Sequence, residues 1–184
     1  GLVRQTMAMA QPARLPDWWA PLYEQAGNAS AFLSPAWMQA WLDGYGTDFG
    51  GTWVYWCRDG QVVAGMLLLQ GSCRRKRVQL NGLYVNVGSE TRERSPLVEF
   101  NTVLCLPGLE SAVGADLAAQ VATMRWQCVT FPGHEDDLLA NAFLDGLPSL
   151  QTEREVRPAP YVDLRAIAAG PVEATLSSNT RSQL

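Results

Sequence analysis

Histidine occurs once in these 184 residues, and none of the four cysteines stands in a CxxC pair. Cys57, Cys73, Cys105 and Cys128 are too widely spaced, and imidazole too scarce, to supply the ligand grammar of a structural zinc site. They read as reduced thiols, mostly buried, and no metal is expected. Long apolar runs are also missing. The longest, Val62 to Leu69, falls far short of the roughly 20 residues that cross a bilayer, and the N-terminus lacks the charged-then-apolar order of a signal peptide. A cytoplasmic protein without membrane contact is the expectation. Positive charge is in short supply: 14 basic against 18 acidic side chains leave a formal charge of −4, which gives no global attraction to nucleic acid. There is no Gly-x-Ser-x-Gly, no Walker loop and no dinucleotide fingerprint, which argues against hydrolase, NTPase and dehydrogenase chemistry. No repeat of 20 to 50 residues is visible, so a solenoid is excluded as well.

What is present fits one α/β domain. Hydrophobic residues make up 47% of the chain, enough for one sizeable core. Trp18, Trp19, Leu22 and Ala26 have the spacing of an amphipathic helix closed by Gly27. Ser34-Pro35 reads as an N-cap followed by proline at the first helical position, with Trp37, Met38, Trp41 and Leu42 as the buried stripe of a second helix. Thr52 to Cys57 and Val62 to Leu69 flank a turn centred on Asp59-Gly60, which predicts a β-hairpin. Further strands are expected over Arg77 to Asn81, Leu97 to Leu106, Gln127 to Phe131 and Thr152 to Leu164, with Gly82 to Ser95 as a loop. Leu109 to Met124 and about Glu135 to Leu144 read as helices. In the second of these, Glu135, Asp136 and Asp137 are expected in the first turn, where the macrodipole favours acids. Residues 1–14 read as a frayed arm or appended sequence, residues 15–170 as the domain, and residues 171–184 as a helix without a C-cap.

Four landmarks carry a resemblance. Phe32-Leu33-Ser34-Pro35-Ala36-Trp37 with Trp41, Arg58-Asp59-Gly60, Val98-Glu99-Phe100-Asn101 and Ala159-Pro160-Tyr161-Val162-Asp163-Leu164 occur in this order. Together they resemble the N-terminal half of the tandem-GNAT proteins grouped with CelD-like acyltransferases and, more distantly, Fem-type aminoacyltransferases. The match runs from about Trp18 to Leu184. The resemblance implies a mixed, largely antiparallel sheet flanked by helices in three α/β/α layers, and an acyl-CoA-dependent N-acyltransferase activity. It also implies a second GNAT domain following Ser177-Ser178-Asn179-Thr180-Arg181.

In that family a loop between the central strand and its helix holds the pyrophosphate of the acyl donor on backbone N–H groups. Acetyl-CoA or a longer acyl-CoA would accordingly lie against Leu106, Gly108 and Leu109. The segment departs from the pattern, with one loop glycine, Pro107 in place of a donor, and Glu110 where a cation would help. Glu99 fits a general base in a central strand, or a carboxylate that anchors a loop, with Asn101 two residues on and on the same face. His134 fits an acid–base role or a solvent-facing helix start. Arg74-Arg75-Lys76-Arg77 fits an anion clamp or a solvated hairpin tip. Tyr45, Trp53, Tyr55 and Trp56 fit a stacking groove or core packing, alternation placing Trp53 and Tyr55 opposite Trp56. Two functions follow as expectations. One is the acceptor-binding or scaffolding half of a tandem acyltransferase, partnered by a second GNAT domain and a small-molecule acceptor. The other is a non-catalytic small-molecule-binding or dimerisation module that has lost acyl-CoA binding, with a second copy as partner.

Overall fold

Asp59 and Gly60 take φ of 52° and 80°, the left-handed pair that a two-residue hairpin turn demands and that Gly adopts without steric cost. The computed structural model describes residues 1–75, 77–86 and 98–147. The chain divides into two units, Gly1–Leu150 and Gln151–Leu184, and the expected strand at Thr152 to Leu164 and the tail helix lie outside the described residues. Around the Asp-Gly turn, β2 (Gly50–Arg58) and β3 (Gln61–Arg75) form the expected hairpin, longer at both ends than the alternation alone implied. Trp53 and Tyr55 face one side of it and Trp56 the other, as the pleat requires. Trp53 packs against α1 (Trp19–Gln25) and α2 (Pro35–Tyr45). Trp56 packs against α3 (Glu110–Ala122) and α4 (Leu138–Asp145).

The sheet runs β1 (Val3–Ala8), β2, β3, β4 (Val78–Val85), β6 (Cys128–Thr130), with β5 (Leu104–Cys105) paired to β3. All pairings are antiparallel except β4 with β6. The result is a mixed, largely antiparallel sheet between two helical layers, as expected. Burial drives it. Trp19, Met38, Trp41 and Leu42 are almost fully buried on one face, and Val113, Leu117, Leu139 and Phe143 on the other. Each such side chain contributes about 1.5–3 kcal/mol relative to exposure. Ser34 caps α2 by accepting from Trp37 N–H, with Pro35 at its first position.

Four expectations change. Residues 3–8 form a strand rather than an arm, held by the β2 ladder and by Arg4, whose guanidinium donates to the Asp116 carboxylate at 2.7 Å. Residues 82–85 continue β4 instead of starting a loop, because Leu83, Tyr84 and Val85 are buried. Helix α4 begins at Leu138, so Glu135 and Asp136 precede it and Asp137 is its N-cap. The strand expected over Leu97 to Leu106 is reduced to two residues. Phe100 adopts φ of 52°, which breaks the pleat, and the side chains of Asn101 and Thr102 make bonds that compete with a ladder.

That reduction has a simple geometry. Val85 of β4 stands opposite Leu68, and Leu104 of β5 opposite Gly65. The two strands therefore follow one another along the same edge of β3, with an interruption between Val85 and Leu104. Asn86 fills the join. Its N–H donates to Leu67 O at 2.7 Å, and its Oδ1 accepts from Leu67 N–H at 2.8 Å.

Candidate functional site

At this interruption lies a cavity of about 370 Å³, lined by residues 27–31 after α1, by Phe100, Asn101 and Thr102, and by Glu135 and Asp137 at the start of α4. Three parts of the sequence are brought together by hydrogen bonds that can be followed one by one. Asn28 donates through Nδ2 to Val103 O at 2.8 Å and to Thr102 Oγ1 at 3.2 Å, and its Oδ1 accepts from Cys105 N–H at 3.2 Å. Gly27 N–H donates to Cys105 O at 3.3 Å. The loop after α1 thus occupies the edge of β5 that faces away from β3 and satisfies the groups a neighbouring strand would have taken. Asp137 accepts from Ala140 N–H at 2.7 Å, the bond that caps α4, and stands a long 3.5 Å from the Thr102 hydroxyl.

The wall formed by residues 100–102 is set by a buried asparagine pair. Asn86 donates through Nδ2 to Asn101 Oδ1 at 3.0 Å and to Thr102 O at 2.8 Å. Asn101 Nδ2 donates to Val85 O at 2.9 Å, and its backbone N–H to Gly133 O at 2.9 Å. Both side chains are fully buried. Gly133 has φ of 67°, and a Cβ there would run into the Val98 carbonyl oxygen, so this contact requires glycine.

Glu99 and Asn101 therefore part company. Asn101 is buried and lines the cavity, whereas Glu99 sits in a bend, exposed and outside the lining. They do not share a face of a strand, because the left-handed Phe100 between them removes the alternation. Phe100 itself is 44% exposed at the cavity. His134 is outside the lining, where its Nδ1–H donates to Phe131 O at 2.7 Å and its ring packs on Phe131. Arg74 and Arg77 are exposed at the hairpin between β3 and β4. Tyr45 stacks on Trp41, and Tyr55 on Trp18, within the packed aromatic layer.

Leu106, Gly108 and Leu109 form the turn from β5 into α3. Leu106 N–H donates to Val63 O at 2.9 Å, and Leu109 N–H to Leu106 O at 3.3 Å. Pro107 has no N–H, and Glu110 places a carboxylate in the first turn of α3. The N–H groups of Leu106 and Leu109 are thus engaged within the protein, and the carboxylate of Glu110 stands where a phosphate would favour a cation. Cys105, next to the cavity wall, is buried, and its thiol is pushed from 9.0 up to about 12 by burial first and then by the nearby Glu110 and Asp137. It stays protonated at neutral pH and is no nucleophile. Cys73 is buried too, while Cys57 and Cys128 are half-buried.

The polar lining residues the sequence reading missed are Asn28, Ser30, Thr102, Glu135 and Asp137. Asn28-Ala29-Ser30 carries the small polar residues of a turn, which marks a loop without marking a cavity wall. Among the described residues no group of three or more His, Cys, Asp or Glu could hold a metal ion, and no helix is long and apolar enough to cross a membrane.

No family model matches the sequence, and no curated protein matches it. Two solved structures are similar in backbone course. One is the aminoglycoside 6'-N-acetyltransferase AAC(6')-Ih of Acinetobacter baumannii, at 13% identity and a TM-score of 0.47 over 89% of this chain and 100% of that one. The other is a mutant of the BH1408 protein of Bacillus halodurans, at 11% identity and a TM-score of 0.48 over 87% of this chain and 99% of that one. Neither transfers a residue role to this chain.

Proposed function

We propose that this chain is a GNAT-like domain whose cavity binds a small, polar, positively charged molecule, and that it serves as the acceptor-binding half of a tandem acyltransferase. The supporting observation is the lining itself. Glu135 and Asp137 bring two carboxylates to a cavity whose other polar walls are Asn28, Ser30, Asn101 and Thr102, with no Lys or Arg among them. Such a lining attracts a cation and repels the phosphates of an acyl-CoA. The turn at Leu106, Gly108 and Leu109 supports the same reading, since the N–H groups of Leu106 and Leu109 are already engaged and Pro107 has none. The run from the β2–β3 hairpin through β4 and β5 into α3, β6 and α4 supports the GNAT-like part of this reading.

A second reading is a small-molecule-binding module without chemistry of its own. It is favoured by Glu99, the expected base, which is exposed and is not among the residues that line the cavity.

Calorimetric titration separates the cases. A compact diamine or amino sugar is expected to release heat and raise the melting temperature, while acetyl-CoA at the same concentration does neither. Glu135→Gln is expected to weaken the amine roughly two- to fivefold, the range of a solvent-exposed charge pair, without changing the melting temperature. Binding of acetyl-CoA in preference to the amine overturns the proposal. Acyl transfer on addition of a second GNAT domain distinguishes the first reading from the second.

A further inference from the structure

Among the described residues strand β1 ends the sheet, and only its β2 side is paired. Met9 N–H donates to Gly51 O at 2.9 Å, in the same register that sets Val3 opposite Cys57. Antiparallel pairing alternates, so the backbone groups of Val3, Gln5 and Met7 turn toward β2. Those of Arg4, Thr6 and Ala8 turn outward, away from the sheet. Edge strands are ordinarily blunted by proline, lysine, a bulge or an inward charge. Here there is no proline or lysine, the register with β2 runs without a shift, and the one charge, Arg4, is bound to Asp116 at 2.7 Å. Val3 and Met7 are instead 55% and 42% exposed, on one face and symmetric about Gln5.

We infer that β1 is the docking edge for a second copy of this chain, joined antiparallel about a two-fold axis through Gln5. In that register Arg4 exchanges backbone hydrogen bonds with the partner subunit's Thr6, and Val3 packs on the partner subunit's Met7. The same two contacts are repeated by the axis, as an isologous interface requires. A foreign strand would have to bring its own apolar pair four residues apart, whereas this strand carries the complement of itself. No like charges face each other, because Arg4 meets a threonine.

Sedimentation velocity across a concentration series tests the edge. The full chain is expected to pass from monomer to dimer and to stop there. Thr6→Pro removes only an outward N–H and is expected to abolish the dimer with an unchanged melting temperature, since proline is tolerated where the N–H faces outward on an edge. Amide hydrogen exchange on the unaltered chain gives an independent reading that does not depend on the variant folding. The Thr6 amide is expected to gain protection as concentration rises, while the Gln5 amide is protected throughout. A monomer at every concentration overturns the inference. So does a dimer that survives Thr6→Pro, a Thr6 amide that exchanges at the same rate in monomer and dimer, or assembly that continues past the dimer.

Discussion

At neutral pH the Cys105 thiol is a small apolar group that donates weakly to Leu106 O at 3.4 Å. Its pKa, raised from 9.0 to about 12, makes it a reporter of stability. Below pH 9 the thiol is protonated both folded and unfolded, and it has no effect on the balance. Between pH 9 and about 12 the unfolded chain loses this proton and the folded chain keeps it, so stability falls as pH rises. Cys105→Ala is expected to flatten that decline by up to about 1.4 kcal/mol per pH unit, measured by urea denaturation at a series of alkaline pH values. The asparagine pair makes the opposite point about polar burial. Asn101→Ala removes the bond that Asn101 accepts from Asn86 and the one it donates to the Val85 carbonyl and is expected to cost about 1–3 kcal/mol, read from the denaturant midpoint. The sequence displayed Asn101 as a polar residue beside a candidate base. It could not display that Asn86, fifteen places earlier, would meet it, because a hydrogen bond between distant residues leaves no local period.

Among the elements, helices and the first hairpin were legible, and strand ends were not. Ser34-Pro35 and Asp59-Gly60 specify their conformations through their own side chains and φ preferences, so α2 and the β2–β3 turn are found where they were expected. Residues 135–137 show where local rules fall short. All three acids favour a helix N-terminus, but it is Asp137 whose extended backbone and 2.7 Å bond from Ala140 N–H make it the cap. Asp137→Ala is expected to destabilise the protein by about 1 kcal/mol, and Asp137→Ser or Asp137→Asn to restore most of it, as measured by thermal melting. The strand at Leu97 to Leu106 was overestimated for a related reason. Val103 and Leu104 are as apolar as any strand interior, but the pleat starts only after the left-handed Phe100 and the two residues that follow it.

For the molecule as a whole, the alternation of Trp53 and Tyr55 against Trp56 was legible as core packing or a stacking surface, whereas the three layers were implied by the family resemblance and not by any spacing. The cavity was not legible, because its walls come from three separated segments whose meeting depends on Asn28 reaching β5 and on Gly133 reaching Asn101. No spacing rule links positions 28, 101 and 135.

The chain leaves β3's edge at Asn86 and has come back to it by Asn101, and these two side chains touch at 3.0 Å. Two amide side chains so joined act as a clasp between the end of β4 and the approach to β5, since Asn101 holds the Val85 carbonyl and Asn86 holds the Thr102 carbonyl. The two strand ends are therefore kept or released together, and with them the cavity wall at Asn101 and Thr102.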